Sequence, residues 1–210
     1  DATVIIGDYY YLFNPFVQAT LFNKLELAME DVIVIVDEGH NLPTRVADMV
    51  SNALTSTMLK NAIQEAQKFH YNGMIMWLQD MNKILLDFAE FEGREKEKLV
   101  TKDQFMARVK MIHDYDELIE EMESAADEVR KKQRKSYLGG ISAFLEAWQG
   151  NDEGFTRILS EKQGSHGSIT MLQYSCLDPS VVTKQVFDQI HAGIVMSGTL
   201  NPTFMYKDLL

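Results

Sequence analysis

Val32-Ile33-Val34-Ile35-Val36-Asp37-Glu38-Gly39-His40 is the stretch that decides the fold of this chain. Five β-branched apolar residues run into two acids, a glycine and a histidine. A continuous apolar run this short reads as a buried strand, of the kind found in parallel sheets covered on both faces. The acids then stand where the strand ends. Ligands of open α/β sheets bind at that carboxyl edge.

Asp37-Glu38 at such an edge is the Walker B arrangement of nucleotide-hydrolysing motors. One carboxylate holds the Mg²⁺ bound to the nucleotide, and the next positions the attacking water. The competing reading is a buried strand that merely ends in two solvated acids, because short motifs recur by chance.

The wider composition narrows the classes. The chain has 210 residues, 46% of them hydrophobic, enough to bury a core in one or two domains. A net charge of −11 argues against indiscriminate nucleic-acid binding by the whole surface and leaves room for a local basic patch. The one cysteine, Cys176, cannot form an internal disulfide or ligate an iron–sulfur cluster by itself. No apolar run reaches membrane-spanning length, and the N-terminus lacks a signal-peptide pattern. Asp1-Ala2-Thr3 leads straight into a strand-like run, and Asp208-Leu209-Leu210 closes inside an apolar pattern, so the chain reads as a fragment.

Upstream of the acids, Thr3-Val4-Ile5-Ile6 reads as a short strand stopped by Gly7-Asp8. Tyr9, Tyr10 and Tyr11 follow, and Asn14-Pro15 opens a helix carrying Val17, Leu21, Leu25 and Met29. The unit is strand, helix, strand, with a right-handed crossover if the strands are parallel neighbours. The tyrosines suit either stacking on bases or half-buried packing, and packing is favoured for at least two of them.

Downstream, Asn41-Leu42-Pro43 breaks the pattern, and beyond Thr55 about a hundred residues read as helical with no strand. The periodicity predicts helices over 57–69, 74–91, 102–134 and 137–148, packed as long antiparallel partners. Gly93-Arg94-Glu95-Lys96-Glu97-Lys98 is the polar connection before the third. The aromatic and methionine stripes read as core, and Glu117, Glu120, Glu121 and Glu123 as a solvated face. Arg130-Lys131-Lys132-Gln133-Arg134-Lys135 is either a set of cations at a helix C-terminus or a contact for nucleic-acid phosphates; the first is favoured. Gln163 to Ser168 reads as a flexible joint, Ile169 to Tyr174 as a returning strand, and 182–190 as a short helix capped by Ser180 or Asp178. Gly193-Ile194-Val195-Met196 is a second buried-strand run, ending in Ser197-Gly198-Thr199-Leu200-Asn201-Pro202. A chain that leaves a sheet, wanders and returns is tolerable because loop-closure cost grows only logarithmically.

These residues resemble the iron–sulfur superfamily 2 DNA helicases of the XPD type. Val36-Asp37-Glu38-Gly39-His40-Asn41-Leu42 is similar to the family's DEAH box. Gly7-Asp8-Tyr9-Tyr10-Tyr11-Leu12-Phe13-Asn14-Pro15 is similar to the segment before that box, and Cys176-Leu177-Asp178-Pro179-Ser180 to its Cys-Leu-Asp-Pro segment. Met196-Ser197-Gly198-Thr199-Leu200-Asn201-Pro202 is similar to helicase motif III. The motifs anchor both flanks, and the insertion between them matches by position and helicity. One departure lies inside the box, where Gly39 stands in place of the usual Ala.

The resemblance implies an α/β fold with a large helical insertion: part of a RecA-like parallel sheet plus an all-α arch domain. The expected divisions are 1–50 and 168–210 in the first motor domain and 51–167 in the arch. It implies a parent that uses ATP and Mg²⁺ to move 5′→3′ on single-stranded DNA in nucleotide excision repair. The phosphate loop and the cysteines of a 4Fe-4S cluster are expected outside this chain, so the 210 residues alone are expected to be inactive. Asp37 would bind Mg²⁺ through water, Glu38 would orient or deprotonate the attacking water, and His40 would sense the nucleotide state. Ser197 and Thr199 would link hydrolysis to DNA grip; their plainer reading is a strand-to-helix cap. Tyr10, Tyr11, Arg130, Lys131 and Arg134 are the candidate DNA contacts. Expected partners are single-stranded DNA and repair-complex proteins docking on the arch, with no membrane. The expected location is the cytoplasm of a prokaryote, or the nucleus if the source is eukaryotic. The alternatives are an arch that serves only as a protein-interaction module, and an unrelated α/β enzyme with an accidental DEGH.

Overall fold

The computed structural model describes residues 4–91, 96–164 and 167–209. In chain order the helices and strands are α1 (Tyr10–Phe13), α2 (Pro15–Leu25), β1 (Ile33–Val36), α3 (Leu42–Val50), β2 (Asn52–Thr55), α4 (Ser56–Lys68) and α5 (Asn72–Phe88). Then come β3 (Glu97–Leu99), α6 (Lys102–Lys110), α7 (Tyr115–Arg130), α8 (Tyr137–Trp148), β4 (Phe155–Gly164) and β5 (Gly167–Cys176). The last are α9 (Ser180–Phe187), β6 (Ala192–Val195) and α10 (Thr203–Leu209). They form two compact units, one of Asp1–Ser51, Asp152–Phe155 and Ser175–Leu210, the other of Asn52–Asn151 and Thr156–Tyr174.

The first unit is built on a parallel pair. β1 lies beside β6 in parallel, in the register Ile33↔Ala192 to Val36↔Val195. Its core joins Phe13, Val36, Leu42, Val46, Val186 and Ile190. Asn14 caps α2 by accepting from the Val17 N–H at 3.1 Å, and Pro15 occupies the first turn, where its missing donor is harmless. β1 alternates: Val36 is buried, whereas Ile33 and Ile35 are more than 60% exposed. The described residues thus cover one face of this sheet, and the second covered face expected from the apolar run is not supplied by them. Among the described residues of the expected strand over Thr3–Ile6, no strand is formed either. Thr3 lies outside the described residues, and Val4 to Ile6 are exposed and irregular. The parallel neighbour of β1 comes instead from the far end of the chain.

Among the described residues the second unit holds five helices and most of a four-stranded sheet in the order β2-β5-β4-β3. β2 runs antiparallel to β5 and β3 antiparallel to β4. The helical reading of residues 55–155 therefore missed β3 and the start of β4. Glu97-Lys98-Leu99 is too short for alternation to show, and β4 carries Arg157, Ser160 and Glu161 among its apolar residues. Gln163–Gly164 and Gly167–Ser168, read as a flexible joint, are the ends of β4 and β5; Ser165 and His166 lie outside the described residues. Of the connection expected over Gly93–Lys98, Gly93 to Glu95 also lie outside them.

The single helix expected over 102–134 is two helices, α6 and α7. Asp114 breaks it, accepting from the N–H groups of Asp116 at 3.0 Å and Glu117 at 3.1 Å. An N-cap of this strength starts a new helix while the apolar spacing carries on across the break. Phe105, Phe144 and Trp148 meet in the core with ring centroids 5.4–6.1 Å apart. Arg157, about 5% exposed, lies between the rings of Trp148 and Tyr174 and donates to the carbonyls of Trp148 and Gly150, at the C-terminal end of α8.

Candidate functional site

Because β1 and β6 are parallel neighbours, their carboxyl ends open on the same edge. Beyond β1 come Asp37 and Glu38; beyond β6 come Met196 and Ser197. The ladder extends past the strands, with the Met196 N–H donating to Val36 O and the Gly39 N–H donating to Met196 O, both at 2.9 Å. Gly39 is required for this approach. A Cβ there would lie 2.2 Å from Val195 Cγ1, a branched side chain with little freedom to retreat. The departure from Ala in the box is thus matched by a close neighbour on β6.

Glu38 turns the chain out of the strand by adopting the left-handed conformation, φ 50° and ψ 41°. That conformation costs a non-glycine residue roughly 1–2 kcal/mol. The carboxylate is thereby brought to Ser197, whose hydroxyl donates to Glu38 Oε2 over 3.2 Å. His40 Nδ1 lies 2.7 Å from Ser197 Oγ and 3.2 Å from Glu38 Oε2. The Thr199 N–H donates to Ser197 Oγ at 3.3 Å, and the two hydroxyls are 3.4 Å apart. Ser197 has one proton to give, and it goes to the carboxylate. His40 Nδ1 therefore carries hydrogen and donates, a tautomer assigned from the network. The Glu38 side chain is 61% exposed and that of His40 33%, so the cluster opens to solution.

Asp37 Oδ1 accepts from the Glu38 N–H at 2.9 Å. Two carboxylates on an open edge suit Mg²⁺, which keeps most of its waters and takes one or two protein carboxylates plus phosphate oxygens. A protein cage for a metal is a different matter: among the described residues no group of three or more His, Cys, Asp or Glu is placed to hold an ion. A cysteine-ligated cluster does not fit either, since Cys176 is the sole cysteine of the sequence and is buried.

The other candidate residues fall elsewhere. Tyr10 and Tyr11 are half exposed on α1 in the first unit. Arg130, Lys131 and Arg134 belong to the second unit. Arg130 pairs with Glu123 at 2.7 Å and Asp127 at 2.9 Å, and Lys131 with Glu128 at 2.5 Å. These partners hold both cations above their ordinary pKa, chiefly through the hydrogen bonds that Glu123 and Glu128 accept. Two of the three cations are thus already matched by acids of their own helix, while Arg134 is exposed.

Sequence reasoning missed Tyr9. Its hydroxyl donates to the carbonyl oxygen of Asp37 and lies 3.1 Å from that of Glu38. Burial, with the Asp37 and Glu38 charges behind it, pushes the phenol above its ordinary pKa, so it stays a donor. The run of three tyrosines was the only signal, and it does not say which one turns inward.

Comparison with known proteins agrees with the motifs. Residues 1–59 match the DEAD_2 family model. The ATP-dependent DNA helicase CHL1 of Candida albicans is 28% identical, over 92% of this chain and 28% of its own length. The general transcription and DNA repair factor IIH helicase subunit XPD of Schizosaccharomyces pombe is 24% identical, over 99% of this chain and 35% of its own. The XPD/RAD3 subunit of Saccharomyces cerevisiae is 22% identical over the same shares. This chain is thus similar to DNA helicases named CHL1 and XPD along nearly all its length, and it spans about a third of theirs.

Proposed function

We propose that this chain supplies one wall of the ATP site of a DNA helicase, together with the insertion that follows the DEAH-type box. The carrying observation is the meeting of Glu38, His40 and Ser197 at the shared edge of β1 and β6, with Ser197 Oγ 2.7 Å from His40 Nδ1 and 3.2 Å from Glu38 Oε2. In this reading residues 1–50 and the segment around β6 belong to the motor, and the helical insertion between them is the arch.

ATP with Mg²⁺ supplies a phosphoanhydride whose terminal phosphoryl group is transferred to water. Asp37 would hold the Mg²⁺, which would offset the charge of the phosphoryl group. Glu38 accepts hydrogen from the attacking water and orients it. His40 and Ser197 tie the position of Glu38 to the loop after β6, so a change at the carboxylate is felt at Thr199. Direction of travel is 5′→3′, the strand is single-stranded DNA, and the setting is excision repair, with Tyr10, Tyr11 and Arg134 the exposed candidates for DNA contact.

The test uses the full-length protein. Glu38→Gln should lower DNA-stimulated ATP hydrolysis by about a hundredfold or more, the range of a lost general base, with ATP binding kept. Duplexes with a 5′ or a 3′ single-stranded tail read the polarity. Wild-type turnover by Glu38→Gln would refute the assignment, and unwinding only from a 3′ tail would refute the direction.

A further inference from the structure

We infer that Tyr9 is a positioning residue for the Asp37–Glu38 pair: its phenol clamps the backbone turn that aims Glu38 into the site. The inference rests on the reading of those two acids as the carboxylates of an ATP site.

β1 ends at Val36, whose carbonyl is the last to join the ladder to β6, through the Met196 N–H. The next two carbonyls leave the ladder as Glu38 enters the left-handed region. Glu38 O accepts from the Asn41 N–H at 3.0 Å as well as lying 3.1 Å from the phenol. Asp37 O accepts from the Tyr9 hydroxyl. The two carbonyls converge on one hydrogen, an arrangement that forms only while Glu38 keeps its positive φ. Relaxation of Glu38 to an ordinary conformation would turn its peptide plane away from the phenol and carry Oε2 away from Ser197.

The clamp is itself anchored. Tyr9 O accepts from the N–H groups of Leu12 at 3.0 Å and Phe13 at 2.9 Å, which closes the short turn of α1. Phe13 is buried in the core of the unit, 5.9 Å from the Phe187 ring, and Tyr9 packs against that same core. The hydroxyl is thus held from the folded interior, 28 residues away in sequence from the acid it supports. It reaches carbonyls and not carboxylates, so it acts through Glu38 and touches no reacting atom.

The test is Tyr9→Phe in the full-length protein, beside wild type and Glu38→Gln, with steady-state ATP hydrolysis at saturating single-stranded DNA, ATP affinity and thermal melting. The expected result is a kcat lowered about tenfold, one barrier increment of the sort a displaced carboxylate produces, with KM within about twofold and the melting temperature unchanged. An unchanged kcat, while Glu38→Gln is inactive, overturns this inference and leaves the ATP-site reading standing. A joint fall of kcat, ATP affinity and melting temperature makes Tyr9 a packing residue and also overturns it. Full activity in Glu38→Gln overturns the ATP-site reading, and the inference with it.

Discussion

Glu65→Ala should unfold the second unit more readily than most single substitutions in it. Glu65 lies in α4 with about 4% of its surface exposed. Its Oε1 accepts from Ser136 Oγ at 2.7 Å and the Leu138 N–H at 3.0 Å. Oε2 accepts from Gln133 Nε2 at 2.8 Å and the Tyr137 N–H at 3.1 Å. These donors form the entry to α8, whose first N–H groups have no partner inside the helix. Ser136 caps one of them, accepting from the Gly139 N–H at 3.2 Å, and Glu65 serves the two before it, those of Tyr137 and Leu138, from another helix. Alanine strands the buried Leu138 N–H outright, while Tyr137 and Gln133 are close enough to solvent to recover water. One buried unsatisfied donor costs about 1–3 kcal/mol, and the lost anion at a helix N-terminus adds roughly 0.3–2 kcal/mol. The sum is about 1–5 kcal/mol. Glu65→Gln keeps one acceptor and should lose less. Both tryptophans, Trp77 and Trp148, lie in this unit, so their fluorescence in a urea titration reports its unfolding. A Glu65→Ala midpoint within about 0.5 kcal/mol of wild type, the ordinary range of a surface change, would refute the account.

Three further outcomes are expected. Gly39→Ala should destabilise the first unit by about 1–3 kcal/mol through overpacking, and Val195→Ala added to it should recover much of that loss in a double-mutant cycle; additive losses would show that the 2.2 Å clash is relieved elsewhere. Asp114 is held below its usual carboxylate range by the Glu117 N–H and then the Asp116 N–H. Its folded pKa being lowered, its stabilisation is complete above the unfolded value near 3.8 and is lost as pH falls through the folded one. Asp114→Asn keeps the cap without titrating, so urea midpoints below pH 4 should fall less steeply than in wild type; parallel acid limbs would contradict this. Arg157→Lys should cost about 1–3 kcal/mol, because an ammonium cannot lie flat between Trp148 and Tyr174 while reaching two carbonyls. Calorimetry with an unchanged transition for the second unit would argue against that.

The strand, its acids and the later hydroxyl loop were legible because each is local. A run of β-branched residues favours a strand wherever it lies, even where, as at Ile33 and Ile35, one face stays exposed, and Asp-Glu directly after it stands at the strand edge. The cap at Asp114 was legible in principle, since Asp is a strong helix starter, but the apolar period ran across it unbroken. The sheet of the second unit was hidden for another reason. β3 and β4 gain their partners from each other and from β5, and Arg157 is tolerated inside β4 because two rings and two carbonyls receive it.

Sequence by itself determined the parts of the candidate site whose spacing is short: Asp37, Glu38 and His40 on one segment, Ser197 and Thr199 on another. Only the tertiary structure decided that these segments adjoin, that Ser197 stands between His40 and Glu38, that Gly39 is matched to Val195, and that Tyr9 is the tyrosine beneath the acids. The physical reason is separation along the chain. His40 and Ser197 are 157 residues apart, and no periodicity, propensity or charge pattern of either segment encodes the hydrogen bond that joins them.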